Sequence, residues 1–168
     1  MSEPVESIES VKSIQTPIRL EYSYTAGRAS TRFLKGMAEG RILGQRCPEC
    51  TKVYVPPRGS CPRCGVATQD EVEVSGKGTV TTFCIVRIPS ESLSIKPPYA
   101  AAHILLDGAD IPFFALIQEC PFDDVRMGMR VEAVWAPRAE WSASFENIRH
   151  FRPIAEPDAT YDSFKEHL

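Results

Sequence analysis

The chain has 168 residues, enough for one buried core and a small additional lobe. At 43% hydrophobic and 24% charged it has the make-up of a soluble globular protein, and no apolar run approaches the roughly 18 residues of a membrane helix. A net charge of −3 argues against the basic footprint of a nucleic-acid-binding chain.

Residues 1–29 read as a weakly ordered arm. Its first sixteen residues are polar and acidic, with Glu3, Glu6 and Glu9, and lack the basic start and apolar centre of a signal peptide. Ser30 or Thr31 is placed to cap a short helix through Glu39, with Phe33, Leu34 and Met37 on one face and Gly40 as its left-handed stop. Arg41–Arg46 then reads as a strand.

Two matched cysteine pairs follow, Cys47-Pro48-Glu49-Cys50 and Cys61-Pro62-Arg63-Cys64, with ten residues between them. Each pair folds naturally into a knuckle whose backbone N–H groups point at sulfur. Two facing knuckles supply the four thiolates of a closed structural Zn²⁺ site. Iron in the same cage, or disulfides, are the alternatives. A redox dithiol requires a thioredoxin-like context that is absent here. Reduced thiolates and no export signal point to the cytoplasm. A strand over Thr51–Val55 and the stop at Pro56-Pro57 separate the knuckles, which is the order of a zinc ribbon. Between Gly40 and Gly65, Arg41, Arg46, Lys52, Arg58 and Arg63 face Glu49 alone, so the lobe is locally cationic.

After Thr68 the pattern is all-β. Glu71–Ser75 and Thr79–Ile88 read as one long strand bent at Gly76-Lys77-Gly78. Tyr99–Leu106 and Phe113–Gln118 form a hairpin around Asp107-Gly108-Ala109-Asp110. An irregular segment over Pro121–Met129 connects to strands at Arg130–Ala136 and Asn147–Phe151. Five principal strands with this layout fit an OB-fold, with a small sandwich as the alternative. The expected organisation is therefore mainly β: an arm (1–29), a capped helix with a rubredoxin-like zinc ribbon (30–68), a five-stranded OB-fold barrel (69–153) and an acidic C-terminal tail (154–168).

No convincing catalytic constellation is present. G-x-S-x-G, H-E-x-x-H, P-loop and G-x-G-x-x-G motifs are all missing. His103 reads as a structural histidine in a strand, and Cys84 and Cys120 as small hydrophobes. Leu93, Ile95, Trp135 and Trp141 lie in or beside loops that in OB-folds either build the binding face or cap the ends of the barrel.

Several of these segments together resemble one family. They are Ala38-Glu39-Gly40-Arg41-Ile42-Leu43 before the first knuckle, Val55-Pro56-Pro57-Arg58 between the knuckles, Val74-Ser75-Gly76-Lys77-Gly78-Thr79-Val80 at the barrel's start, Pro98-Tyr99, Met127-Gly128-Met129-Arg130-Val131, and Phe151-Arg152-Pro153. The chain looks like the zinc-ribbon/OB-fold acyl-CoA-associated family, long described as a domain of unknown function, over residues 30–153. Thr51 departs from the family's usual glycine after the first knuckle. The resemblance implies a non-catalytic subunit beside a thiolase-superfamily protein in a hetero-oligomer, as with the benzoylsuccinyl-CoA thiolase small subunit, and no catalytic residue of its own. It also implies CoA or acyl-CoA as a ligand shared with the partner.

CoA carries a pyrophosphate and a 3′-phosphate, so Arg58, Lys52, Arg46 and Arg63 are the candidate cations, with Lys77 and Lys96 behind them. Tyr54 is the candidate for stacking on adenine, and the loops around Leu93, Ile95 and Trp141 for partner contact. A nucleic-acid-binding module and a free acyl-CoA binder are the competing functions. The first is disfavoured by acidic net charge and by the lack of evenly spaced surface aromatics.

Overall fold

The computed structural model describes residues 20–90 and 93–168. Most of the arm assigned to residues 1–29 lies outside the described residues. Helix α1 spans Arg28–Ala38 and begins earlier than the capping residues suggested. Gly27 occupies its N-cap without a side-chain hydrogen bond, and the Thr31 hydroxyl instead donates to Ala26 O at 2.9 Å. Phe33 and Met37, one turn apart, point into the core and are buried. The helix ends in a Schellman motif: Arg41 N–H reaches Gly36 O and Gly40 N–H reaches Met37 O, with Gly40 at φ +78°.

Strands β1 (Ile42–Arg46), β2 (Val53–Tyr54) and β3 (Asp70–Val74) form an antiparallel sheet in the order β2-β1-β3. As its central strand, β1 is buried on both faces from Ile42 to Gln45. The Glu71–Ser75 segment, expected to open the barrel, instead pairs along all of β1, from Ile42 opposite Val74 to Arg46 opposite Asp70. The chain enters the barrel only after turning at Ser75-Gly76.

Strands β4 (Lys77–Val86), β5 (Tyr99–Leu106), β6 (Phe113–Ile117), β7 (Arg130–Trp135) and β8 (Ile148–Pro153) close a barrel in the order β4-β5-β6-β8-β7. β4 pairs with both β5 and β7, and β6 meets β8 in parallel at Ile117 and Phe151. A five-stranded barrel whose first strand serves both sheets is the OB-fold. Gly78 lets β4 approach β5: a Cβ there would lie 2.6 Å from Leu105 O. Val80, Ile104, Leu106, Val131 and Phe151 fill the barrel and are almost wholly buried. Their cluster runs on through Val53, Val55, Ile42, Phe33 and Met37, so helix, ribbon and barrel share one apolar core.

The acidic tail packs on the barrel. Ala159 N–H bonds Gly128 O, Asp158 pairs with Arg126, and Glu156 bridges Lys77 and Arg130. A terminal turn of helix, α2 (Tyr161–Phe164), buries Phe164 to 2% exposure. Among the described residues no helix is long and apolar enough to cross a membrane.

Candidate metal centre and the cationic ribbon

Each C-P-x-C segment closes by the same backbone pattern. In the first knuckle Cys47 N–H bonds Lys52 O, Thr51 N–H bonds Cys47 O, and Cys50 N–H points at Cys47 Sγ at 3.5 Å. In the second, Cys61 N–H bonds Val66 O, Gly65 N–H bonds Cys61 O, and Cys64 N–H points at Cys61 Sγ at 3.4 Å. The residue after each knuckle is left-handed: Gly65 at φ +71° and Thr51 at φ +61°. A β-branched residue is strained there, which gives the departure from the family's glycine a structural meaning.

The two knuckles bring Cys47, Cys50, Cys61 and Cys64 together, all four sulfurs lying within 4.8 Å of one another. None of the four is in a disulfide. Cys50 Sγ and Cys61 Sγ are 3.7 Å apart, far from the roughly 2 Å of a disulfide. It is close to the edge, about 3.8 Å, of a tetrahedron built on Zn–S bonds of about 2.3 Å. The donor set therefore fits a structural Zn²⁺. Bound there, the ion would cross-link the two knuckles, and with four protein ligands it leaves no position for water.

Tyr54 sits directly behind this cage. It is 2% exposed and its hydroxyl lies 3.2 Å from Cys61 Sγ. The bond draws the Cys61 thiol down to about 6 and pushes the phenol up. Desolvation of the sulfur, followed by the neighbouring sulfurs, pushes Cys64 up to about 12, although the residue as a whole is exposed. Four crowded thiols do not ionise together unaided, and a divalent cation removes that conflict. Burial also removes Tyr54 from the adenine-stacking role that the sequence suggests for it. The strand alternation of β2 explains why: Val53 and Val55 enter the main core, while Tyr54 joins Cys47 and Cys61 in a separate cluster.

The candidate cations do not form one cluster. Arg58 is exposed, its guanidinium carbon 5.8 Å from the Tyr54 ring centroid, and Arg63 is exposed on the second knuckle. Arg46 donates to Thr51 O and Lys52 lies 3.5 Å from Asp110. Lys77 is held by Glu156 at 2.6 Å at the start of the barrel's first strand. Lys96 lines a separate recess of about 270 Å³ with Ile95, Tyr99 and Cys120. Of the apolar contact candidates, Leu93 is exposed and Ile95 half-buried. Trp141 serves the fold: its indole N–H donates to Ala136 O at 2.7 Å and its ring covers Gly40. His103 is exposed and lies 3.1 Å from Thr82 Oγ1, with its ring edge-on to Phe114.

Comparison with known proteins agrees with this architecture. Residues 34–69 match the family model for the ChsH2 rubredoxin-like zinc ribbon domain, and residues 71–136 that for the ChsH2 C-terminal OB-fold domain. A DUF35 domain-containing scaffold protein of Methanocaldococcus jannaschii is 40% identical over 96 residues, 56% of this chain and 67% of that one. A protein of the same description from Pyrococcus furiosus is 34% identical over 94 residues, covering 56% and 68%. A probable enoyl-CoA hydratase alpha subunit of Thermomonospora curvata is 27% identical over 121 residues, 72% of this chain but only 37% of that longer protein. Among solved structures, the Ltp2-ChsH2(DUF35) aldolase matches with a TM-score of 0.59 and 26% identity, over 78% of this chain and 98% of that one. A DUF35 protein of Sulfolobus solfataricus, 20% identical with a TM-score of 0.57, shares the fold. The chain belongs to the DUF35 family of zinc-ribbon and OB-fold scaffold proteins.

Proposed function

We propose that this chain is a non-catalytic, zinc-stapled cytoplasmic subunit that docks on a thiolase-fold enzyme and helps form its acyl-CoA site. The observation that carries this reading is the match of 78% of this chain to 98% of a chain of the Ltp2-ChsH2(DUF35) aldolase. The metal cage supports it as well, because four protein thiolates leave no coordination position for chemistry. In this reading the partner supplies the nucleophile and the base, and this chain supplies cations near the nucleotide end of the ligand. Arg58 is the first candidate. It is exposed, and Pro56-Pro57 stiffen the backbone that presents it. Leu93 and Ile95 would meet the partner across the barrel's loops.

The test is co-expression with a thiolase-superfamily protein from the same organism. The two chains should co-purify, and the complex should have an activity that neither has alone. Arg58→Ala in the complex should raise KM for the CoA substrate more than it lowers kcat. Full activity of the thiolase-like protein by itself, or failure of the chains to co-purify, would refute the reading.

A further inference from the structure

The first turn of α1 breaks a rule that helices generally keep. Free N–H groups at a helix start carry partial positive charge and are usually met by an acid or a capping oxygen. α1 opens on Arg28-Ala29-Ser30-Thr31-Arg32, with no acid in its first turn and no side-chain cap from Gly27. Two arginines are thus added to an end that is already positive.

A cavity of about 200 Å³ lies between this turn and the ribbon, lined by Arg28, Ala29, Arg32, Gln45, Gly59 and Thr68. Arg32 shares one guanidinium nitrogen with Glu71 at 2.9 Å. Arg28 has no carboxylate partner among the described residues. Gln45, on the ribbon's central strand, is 5% exposed. Its Oε1 accepts from Gly59 N–H at 3.2 Å and from Thr68 Oγ1 at 3.1 Å. A backbone N–H only donates, so the oxygen end of this amide is fixed and the nitrogen end with it. Nε2 has no acceptor among the described residues. Among those residues, no sealed side-chain polar atom is left without a partner. Gln45 is one of the residues lining the cavity, and its amide nitrogen is not sealed and keeps two unused protons.

We propose that this cavity is a phosphoryl-anion site, bounded by the Arg28 and Arg32 guanidinium groups, the Gln45 amide and the start of α1. These donors approach from the helix and from the ribbon. Such an arrangement suits a tetrahedral oxyanion better than a planar carboxylate. The phosphoryl group comes either from CoA, through its 3′-phosphate, or from free phosphate. The site stands on the geometry of the isolated chain, and only its assignment to CoA rests on the function proposed above.

Calorimetric titration of the zinc-loaded full chain with inorganic phosphate, CoA and dephospho-CoA tests the site without any partner. Phosphate should bind, and Arg28→Ala, an exposed substitution that leaves the core intact, should weaken binding by about tenfold. Gln45→Glu, which replaces the donor with a negative charge, should abolish it. CoA binding about tenfold tighter than dephospho-CoA, with the difference lost in Arg28→Ala, supports the nucleotide as the source. Equal binding of the two CoA species beside Arg28-dependent phosphate binding supports the site and makes free phosphate its ligand. Absence of phosphate binding, or equal binding by wild type and Arg28→Ala, overturns the proposal. Failure of co-purification with a thiolase-like protein would leave each of these results unchanged.

Discussion

Replacing Tyr54 with Phe isolates one hydrogen bond behind the metal cage. The ring stays, so the packing of Tyr54 against Cys47 and Cys61 is preserved and only the hydroxyl is lost. Among the groups around Cys61 Sγ are the Cys64 N–H at 3.4 Å and the Tyr54 hydroxyl at 3.2 Å. The hydroxyl is the closer, and with Tyr54 only 2% exposed, water is poorly placed to take its position. It is also the largest contribution holding the Cys61 thiol down. Removing such a partner from a metal-bound thiolate lowers metal affinity by about 10- to 100-fold. Competition of the folded protein against a chromophoric zinc chelator should show that loss, with an unchanged circular dichroism spectrum in saturating zinc. Tyr54→Ser, which also removes the ring, should lose affinity and fold stability together. Equal zinc affinity for wild type and Tyr54→Phe would show that the hydroxyl does not stabilise a ligand thiolate, leaving Tyr54 with a packing role alone.

Thr51→Gly should stabilise the zinc-loaded protein by about 1 kcal/mol, since it relieves left-handed strain at φ +61° against the added flexibility of glycine; chemical denaturation measures it. Gly40→Ala should destabilise by roughly 2–4 kcal/mol in the same assay, because it combines a left-handed alanine with a Cβ 2.5 Å from the Trp141 ring. Asn147→Ala should cost about 2–3 kcal/mol, since Asn147 is 2% exposed and bonds Met37 O, Ser142 O and Ser142 N–H. The Glu156 carboxyl is held below its ordinary value by Lys77 first and then by Arg130. Its stabilisation is therefore complete above the ordinary carboxylate range and lost as pH falls through the lowered value. The difference in melting temperature between wild type and Glu156→Gln should shrink as pH drops from about 7 to about 3.

What the sequence reveals, and what it hides, follows from the range of the interactions involved. The knuckles are local: four residues and their own backbone bonds define each, and the structure brings all four cysteines together as the spacing implies. The barrel's five strands are also local signals, and the OB-fold order emerges from them. Non-local pairings are hidden. Nothing in Glu71–Val74 announces that it pairs with Ile42–Arg46 and not with the barrel. Alternation places Tyr54 opposite Val53 and Val55, which suggests a surface; a second core around sulfur lies on that side. The tail's acids look solvated until Lys77, Arg126 and Arg130 are brought beneath them. The Arg28–Arg32–Gln45 cavity joins three positions on two elements, and its one local sign is the lack of an acid in the first turn of α1.

Asp110 shows how these separate parts become one body. In sequence it is the last residue of a hairpin turn. In the structure its carboxylate accepts Val53 N–H at 2.8 Å, and its own N–H donates to Val53 O at 2.9 Å. The turn of the barrel thereby occupies the free edge of the ribbon's β2 and satisfies both backbone groups that an edge strand would otherwise expose. Lys52 lies 3.5 Å from the same side chain, and His167 in the tail meets Asp110 O at 2.8 Å. Ribbon, barrel and C-terminus thus converge on one residue, and β3 passes directly from the ribbon sheet into β4. Cations carried on the ribbon are consequently held at a fixed distance from the barrel's loops. The cage end of the ribbon is tied in as well: Ile111, the residue after Asp110, packs against the Cys47–Tyr54–Cys61 cluster, so the barrel's hairpin meets the ribbon both at the β2 edge and behind the cysteines.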